Sequence, residues 1–183
     1  MRPVRRFVPK TVIRVNDKMQ SKYTYTLDAK YGDVADEIKN AIPPERMLSE
    51  GVFSGKYMND CKKEFPMEWY ENGKFSTSPD ISINRFKVKS RLSLPEWKRR
   101  GWIIEPDIRG WFQWWCRYYL GRRIPDVDRR NINRWKAYKR HSAQVKINAI
   151  KKKRKGDPTF RPKQRQGLLQ WAHDPFPELL KKN

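Results

Sequence analysis

Positively charged side chains are concentrated in the second part of this sequence, and their chemistry would be the binding of phosphate. Residues 81–183 hold 28 Lys and Arg against 8 Asp and Glu, a net charge of +20, whereas residues 1–80 hold 14 against 12 and add only +2 to the total of +22. Guanidinium groups donate paired hydrogen bonds to phosphate oxygens, and each neutralised phosphate releases condensed counterions. The sequence therefore predicts a protein that binds DNA or RNA by its phosphate backbone, largely independently of base sequence.

The predicted phosphate contacts lie in one basic helix and its flanking segments, including the lysine-rich run that follows it. They are Arg122, Arg123, Arg129, Arg130, Arg134, Lys136, Lys139, Arg140, Lys151, Lys152, Lys153, Arg154 and Lys155. Asn131, Asn133 and Gln144 lie in the same region and carry amide groups that suit base edges, so base-specific contacts are an open alternative.

Acidic residues inside the basic region raise an enzymatic alternative. If Glu105, Asp107, Asp126 and Asp128 met in one cleft, they would bind Mg²⁺ or act as general acid and base, as in a nuclease, glycosylase or repair factor. Asp107, Asp126 and Asp128 also lie where helices are expected to begin, and helix N-caps are a common use of aspartate. We favour a binding protein without a cofactor; Mg²⁺ belongs only to the enzymatic alternative.

The two cysteines and two histidines are too few and too far apart for a disulfide framework or a zinc site. Cys61 and Cys116 are therefore expected to be reduced thiols of an intracellular protein. Lys62 and Lys63 lie beside Cys61 and would stabilise a thiolate, but a buried, unreactive thiol is the simpler interpretation.

The basic ends of the chain indicate a third class, a structural component of a ribonucleoprotein or of a packaged genome. Residues 1–14 and 151–165 would then follow phosphates and become ordered on binding, with other proteins as further partners. The first 15 residues carry five Arg and Lys and no acid, so organellar import is an alternative to the nucleus, the cytoplasm or a virion. No apolar run approaches the roughly 20 residues that cross a bilayer, so we expect no membrane contact.

Aromatic periodicity predicts the helices that must position these residues. Trp111, Trp114, Trp115 and Tyr118 lie at i, i+3, i+4 and i+7 within residues 109–120, which indicates a helix that is apolar nearly all round and central to the core. Seven of the eight Trp lie beyond residue 80, so the core should be rich in aromatic side chains.

The predicted long basic helix begins at Asp126 or Asp128 and continues to about residue 149, with Ile132, Trp135 and Val145 on its apolar side. Ser93 with Glu96 forms a capping-box pattern for a short helix that ends at Gly101. Pro162 opens a last helix that runs through Trp171.

The first 80 residues read as a mixed-charge scaffold. Short strands are predicted at residues 11–15 and 22–27, and helices at 34–41, 44–50 and 55–65. The fold class that follows is mainly α: a single compact domain of several helices around an aromatic-rich core, with a few short strands near the N-terminus. Its parts are the scaffold (1–80), the basic aromatic helical region (81–150), and a basic linker with the C-terminal helix (151–183).

Overall fold

Two strands and six α-helices follow one another in the computed structural model, which describes residues 7–90 and 92–176. The elements are β1 (Val12–Asn16), β2 (Ser21–Thr26), α1 (Pro44–Ser49), α2 (Met67–Glu71), α3 (Leu94–Arg99), α4 (Trp111–Leu120), α5 (Pro125–Lys151) and α6 (Pro162–Leu169), with a 3₁₀ turn at Ile81–Ile83. The predicted fold class is confirmed, because helices surround a buried aromatic-rich cluster and β1–β2 is the one sheet among the described residues. Arg2, Arg5 and Arg6 of the predicted basic N-terminus lie outside the described residues.

The β1–β2 hairpin forms where alternating side chains predict it. The strands are antiparallel, with Ile13 opposite Tyr25 and Val15 opposite Tyr23. Ile13, Val15 and Tyr25 point into the core while their neighbours on β1 face outward, the two-residue period expected of a strand with one buried face. The Asp17 carboxylate accepts the backbone N–H groups of Met19 and Gln20 and so closes the connecting turn.

Helix α4 lies at the centre of the molecule, as the aromatic spacing predicts. Nine of its ten residues are buried, and Trp114 has an exposure of 0%. The helix ends at Gly121, which has φ +117°, and a Cβ there would lie 2.2 Å from the Ala29 carbonyl oxygen. Glycine is therefore required at this C-terminus, where the backbone amides of Asp28 and Ala29 also bind the Gly121 carbonyl.

Helix α5 is 27 residues and thus about 40 Å long. Ile132, Trp135, Val145 and Ala149 form its buried stripe, and the last two pack with Leu168 of α6 in a second apolar cluster. The N-cap is Ile124, not Asp126 or Asp128 as predicted, because Pro125 already occupies the first helical position.

Two predicted helices of the first part are wrong. Residues 34–41 and 55–65 form successive turns instead. In the first segment the backbone bonds join Ile38 to Ala35 and Ala41 to Ile38, which are three-residue turns. In the second, Gly55 and Met58 have φ of +70° and +63°, and residues in this conformation cannot continue a right-handed helix.

The capping-box pattern is only partly realised. Ser93 is the N-cap of α3, but its side chain makes no capping hydrogen bond. The Glu96 carboxylate instead forms ion pairs with Arg99 and Arg100 on the same helix, which use the acceptor that a capping box requires.

Candidate nucleic-acid interface

The outward side of α5 carries a row of cations. At about 100° per residue, Arg129, Lys136, Arg140 and Lys151 fall within about 60° of arc, on the side away from the buried stripe, and all four are exposed. We call these four residues the basic row. Arg130 flanks the row on one side and Lys139 on the other, and the exposed residues 152–155 follow its end. The row extends over about 33 Å of helix, at roughly 1.5 Å per residue.

Few acids neutralise this surface. Arg129 pairs with Asp126, Lys136 lies 3.6 Å from a Glu37 oxygen, and Arg154 pairs with Asp157. Exposed pairs of this kind are weak, so their cations can exchange partners. Six further cations of this surface make no ion pair with any residue in the described ranges; they are Arg130, Lys139, Arg140, Lys151, Lys152 and Lys153.

Arg122 and Arg123 leave the predicted set, because their guanidinium groups bind within the fold. Arg122 is 1% exposed, and its guanidinium donates to both Asp107 oxygens, at 2.9 and 2.6 Å. Arg123 donates to the backbone carbonyls of Tyr118, Arg122 and Asp33 and lies 4.1 Å from the centroid of the Tyr118 ring. The Arg122 guanidinium is therefore enclosed, and three of the five N–H donors of Arg123 are bound to backbone carbonyls.

The Arg122–Asp107 pair belongs to a buried ionic network that the sequence did not predict. Arg117, within α4, binds Glu64 at 2.6 Å and Asp107 at 3.0 Å. Arg109 binds Asp17 at 2.9 Å and Asp60 at 3.0 Å. Burial alone would lower the pKa of Arg117, but Glu64 and Asp107 raise it above its usual value. These arginines therefore stay charged and join the hairpin, the turns at residues 55–65 and α4.

The acids proposed for catalysis do not meet in a cleft. Asp107 is enclosed in the ionic network, and Asp126 is an exposed partner of Arg129. Asp128 is buried, where its carboxylate accepts the Trp114 indole N–H at 2.8 Å and the Ile124 backbone N–H at 2.7 Å. Burial raises the pKa of Asp128. Glu105 is exposed, and no group of three metal-ligating side chains occurs within the described part of the chain.

Both cysteine thiols are buried, whereas one of the two histidines is buried and the other is exposed. Burial raises the pKa of both Cys61 and Cys116, so the lysines beside Cys61 do not produce a thiolate. His173 stacks on Trp135 with a centroid distance of 4.5 Å, and one ring nitrogen lies 2.9 Å from the Trp135 carbonyl oxygen. His141 is exposed on α5.

The predicted basic extension at residues 151–165 is only partly free of the body. Residues 151–155 are exposed, but Phe160 and Arg165 are buried. The Arg165 guanidinium donates to the Asp157 carbonyl at 3.0 Å and lies 4.4 Å from the centroid of the Phe86 ring. The first five residues of this segment are continuously exposed, whereas its later part is anchored to the body at Phe160 and Arg165.

An aromatic pocket of about 400 Å³ opens beside α5, between the segment containing α3, the start of α4, and α6. Five of the eight Trp are buried, and the other three, Trp97, Trp102 and Trp171, are half-buried and all line this pocket. Tyr138 of α5 stacks on Trp171 with a centroid distance of 4.3 Å. Sequence reasoning missed this pocket, since its walls come from segments more than 70 residues apart.

Arg134 links the aromatic pocket to the outer surface of α5. One of its N–H groups donates to the Trp102 carbonyl at 2.7 Å, and its guanidinium lies 5.2 Å from the centroid of the Trp171 ring. Arg134 also lines a shallow depression on α5 together with Arg129, Arg130, Asn133 and one acid, the Arg129 partner Asp126. The pocket and this charged surface are therefore contiguous.

Comparison of the chain with known protein families, with curated proteins and with solved structures finds no match. The functional conclusion therefore depends on geometry and charge. In the described part of the chain, no helix combines the length and the apolar character needed to cross a bilayer.

Proposed function

We propose that this protein binds nucleic acid through the exposed side of α5, with phosphate groups lying along the basic row. The observation that carries the proposal is the alignment of four exposed cations over about 33 Å of one helix, at roughly 1.5 Å per residue. A B-form duplex completes one turn in roughly 34 Å, so a row of this length spans about one turn of a duplex.

The anchoring of α5 supports this proposal. Trp135 is 1% exposed and Ala149 is 0% exposed, so the helix is held along most of its length. Cations on a fixed helix lose less conformational freedom on binding than cations on a disordered tail. Lys139 is an example: its ammonium lies 4.9 Å from the centroid of the buried Trp135 ring, and this contact restricts the side chain before a ligand binds.

The contacts of the individual cations further favour a polyanion as the partner. Seven exposed cations on or just after α5, Lys146 among them, have no ion pair among the described residues, and they repel one another until an anion neutralises them. The same contacts select the residues for a test. Arg130, Arg140 and Lys151 are exposed and have no ion pair within the described ranges, so their substitution should leave the fold intact.

The test compares two triple variants of equal charge. In the first, Arg130, Arg140 and Lys151 are replaced by Gln; in the control, the exposed residues Lys18, Lys30 and Lys74 are replaced by Gln. Binding of a labelled 20-base-pair duplex and of a 20-nucleotide strand is measured by fluorescence anisotropy at several KCl concentrations.

The α5 variant should bind more weakly, and the slope of log K against log salt should flatten by up to about 2.7 units for duplex and about 2 for single strands, since each lost contact contributes roughly 0.9 or 0.7. The control should retain the wild-type slope. Equal slopes for the two triple variants would remove the α5 surface from the proposal, and a wild-type protein that ignores both ligands at low salt would overturn it altogether.

A further inference from the structure

We infer that the aromatic pocket receives one unstacked nucleobase of a single-stranded nucleic acid, with the adjoining phosphate at Arg134. This inference rests on the proposed function and specifies it. The occupant must combine a flat aromatic ring with a negative charge, and a nucleotide unit within a strand has both.

The distribution of tryptophan is the first support. Trp is large and apolar, and leaving it partly exposed forgoes the free energy of its burial. Here the three incompletely buried Trp side chains line the same pocket, rather than being scattered over the surface. The cavity volume of about 400 Å³ lies in the range of small-molecule sites, roughly 300–1,000 Å³.

The polar lining gives the charge of the occupant. Arg134, His141 and Lys163 line the pocket together with three glutamines, and no acid lines it among the described residues. Arg134 is half-buried and has no carboxylate partner in the described ranges, although one N–H binds the Trp102 carbonyl. A phosphate would supply the missing counter-charge, and amide groups at the rim suit the polar edges of a base.

The position of Arg134 indicates how a strand would reach the pocket. Because Arg134 lines both the pocket and the charged depression on α5, a backbone that lies along Arg129 and Arg130 passes the pocket entrance. A duplex keeps its bases stacked and paired, whereas a single strand can turn a base outward onto aromatic side chains. The pocket therefore favours single strands over duplex.

Trp102 is the side chain most suited to stack on the base. Trp171 already packs on Tyr138, and Trp97 makes an edge contact with Tyr57 at 6.3 Å between centroids. Trp102 has no aromatic ring partner in the described part of the chain; Arg100 lies 5.1 Å from its ring centroid. Replacing Trp102 thus removes pocket surface without opening a buried aromatic cluster.

The experiment measures the affinity of the full chain for three fluorescein-labelled 12-mers: an intact single strand, the same backbone with abasic sites, and the duplex. The intact strand is used as DNA and as RNA, because the inference holds for either. Wild-type protein should bind the intact strand more tightly than the abasic one by roughly 5- to 150-fold, the range for stacking of one base. Trp102→Ala should abolish this difference and leave the duplex affinity unchanged, while Trp102→Phe should retain most of it.

Two further variants separate a loss of stacking from a loss of fold. Tyr31→Ala removes an aromatic side chain that lies outside the pocket and accepts the Trp69 indole N–H at 3.1 Å, so it disturbs packing without changing the pocket and should keep the wild-type preference. Gln144→Trp places a large ring at an exposed position of the pocket wall, where the Gln144 side chain makes no hydrogen bond with the described residues, and should reproduce the effect of Trp102→Ala.

Several results would overturn the inference. The first is that wild-type protein binds intact and abasic strands equally tightly. The second is that Trp102→Ala weakens strand binding and duplex binding equally. The third is that free AMP binds as tightly as the strand, which would assign the pocket to a free nucleotide. If the first result occurs while the affinity still falls with salt as expected, the pocket is not the base-binding site but the proposed function still holds. Failure of all three 12-mers to bind at low salt removes both.

Discussion

The substitution Asp107→Asn should test the buried ionic network directly. Asp107 is 1% exposed, and one carboxylate oxygen accepts hydrogen bonds from both Arg117 and Arg122 while the other accepts a second bond from Arg122 at 2.6 Å. Asparagine has nearly the same shape as aspartate but no charge. Its amide NH₂ group would point at arginine N–H donors and could not accept hydrogen bonds from them. Arg122 then keeps no carboxylate partner, whereas Arg117 still has Glu64.

The expected loss in the free energy of unfolding is about 3–5 kcal/mol, since breaking a buried pair leaves an uncompensated charge out of contact with water. Small domains have about 5–15 kcal/mol of stability in total, so this loss removes a large share of it. With a urea m value of roughly 2 kcal/mol/M, the unfolding midpoint should fall by about 2 M.

The assay is equilibrium urea unfolding followed by far-ultraviolet circular dichroism at pH 7. Asp126→Asn is the matched control, because Asp126 pairs with Arg129 on the exposed side of α5; its cost should be below about 0.5 kcal/mol. Combining Asp107→Asn with Arg122→Met removes the stranded charge and should recover about 1 kcal/mol or more of the loss. A cost below about 1 kcal/mol for Asp107→Asn alone would refute the closed network and reopen Arg122 as a phosphate contact.

Three further outcomes are expected. Burial lowers the pKa of His173 below its usual 6.5, so as the pH falls the unfolded chain takes up a proton before the folded chain does. Lowering the pH from 7.5 to 5.5 should therefore decrease the free energy of unfolding, measured by urea titration, by at most about 1.4 kcal/mol per pH unit. This decrease should vanish in His173→Phe but persist in His141→Gln. Trp114→Ala should lower the free energy of unfolding by about 3–5 kcal/mol, because Trp114 is fully buried; a stable variant that only binds more weakly would contradict this. Gly121→Ala should lower the melting temperature sharply, because its Cβ would meet the Ala29 carbonyl oxygen; an unchanged melting temperature would mean that this turn relaxes freely.

Among the elements that sequence reasoning located correctly, α4 and α5 have the longest periodic patterns. The four aromatic side chains of α4 fall on one side of a 3.6-residue period, and the stripe of α5 repeats through Ile132, Trp135 and Val145. The alternation of apolar side chains at Ile13 and Val15 likewise predicted strand β1. Such patterns predict structure because burial repeats along the element itself.

Three segments of the first part, residues 34–41, residues 55–65 and α2, were predicted wrongly or missed, because local pattern does not determine them. Residues 55–65 have helix-compatible composition, yet Met58 adopts a left-handed conformation and the segment forms turns. Helix α2 is only five residues long and was missed, since it contains barely one turn of periodicity. These segments take their shape from the core on which they lie, where Trp69 and Met58 are both buried.

The contacts of the candidate site depend on residues far apart in the sequence. Arg109 meets Asp17 over a separation of 92 residues, and the pocket brings Trp97 and Trp102 to Trp171. One signal was available for the network: Arg117 interrupts a helix that is otherwise apolar nearly all round, and an arginine there must find a buried carboxylate. For the pocket the available signal was weaker: Trp97 and Trp102 lie outside every periodic apolar stripe that the sequence analysis assigned.

The network also changes how the charge of the chain should be interpreted. Arg109, Arg117 and Arg122 all belong to the strongly basic part, whereas three of their four carboxylate partners, Asp17, Asp60 and Glu64, come from the nearly neutral first part. Folding therefore pairs arginines of the second part with acids of the first part. As a result, the difference in net charge between the two parts is smaller at the protein surface than along the sequence. We therefore base the proposed phosphate binding on individually exposed side chains of α5, because net charge alone counts arginines that no ligand can reach.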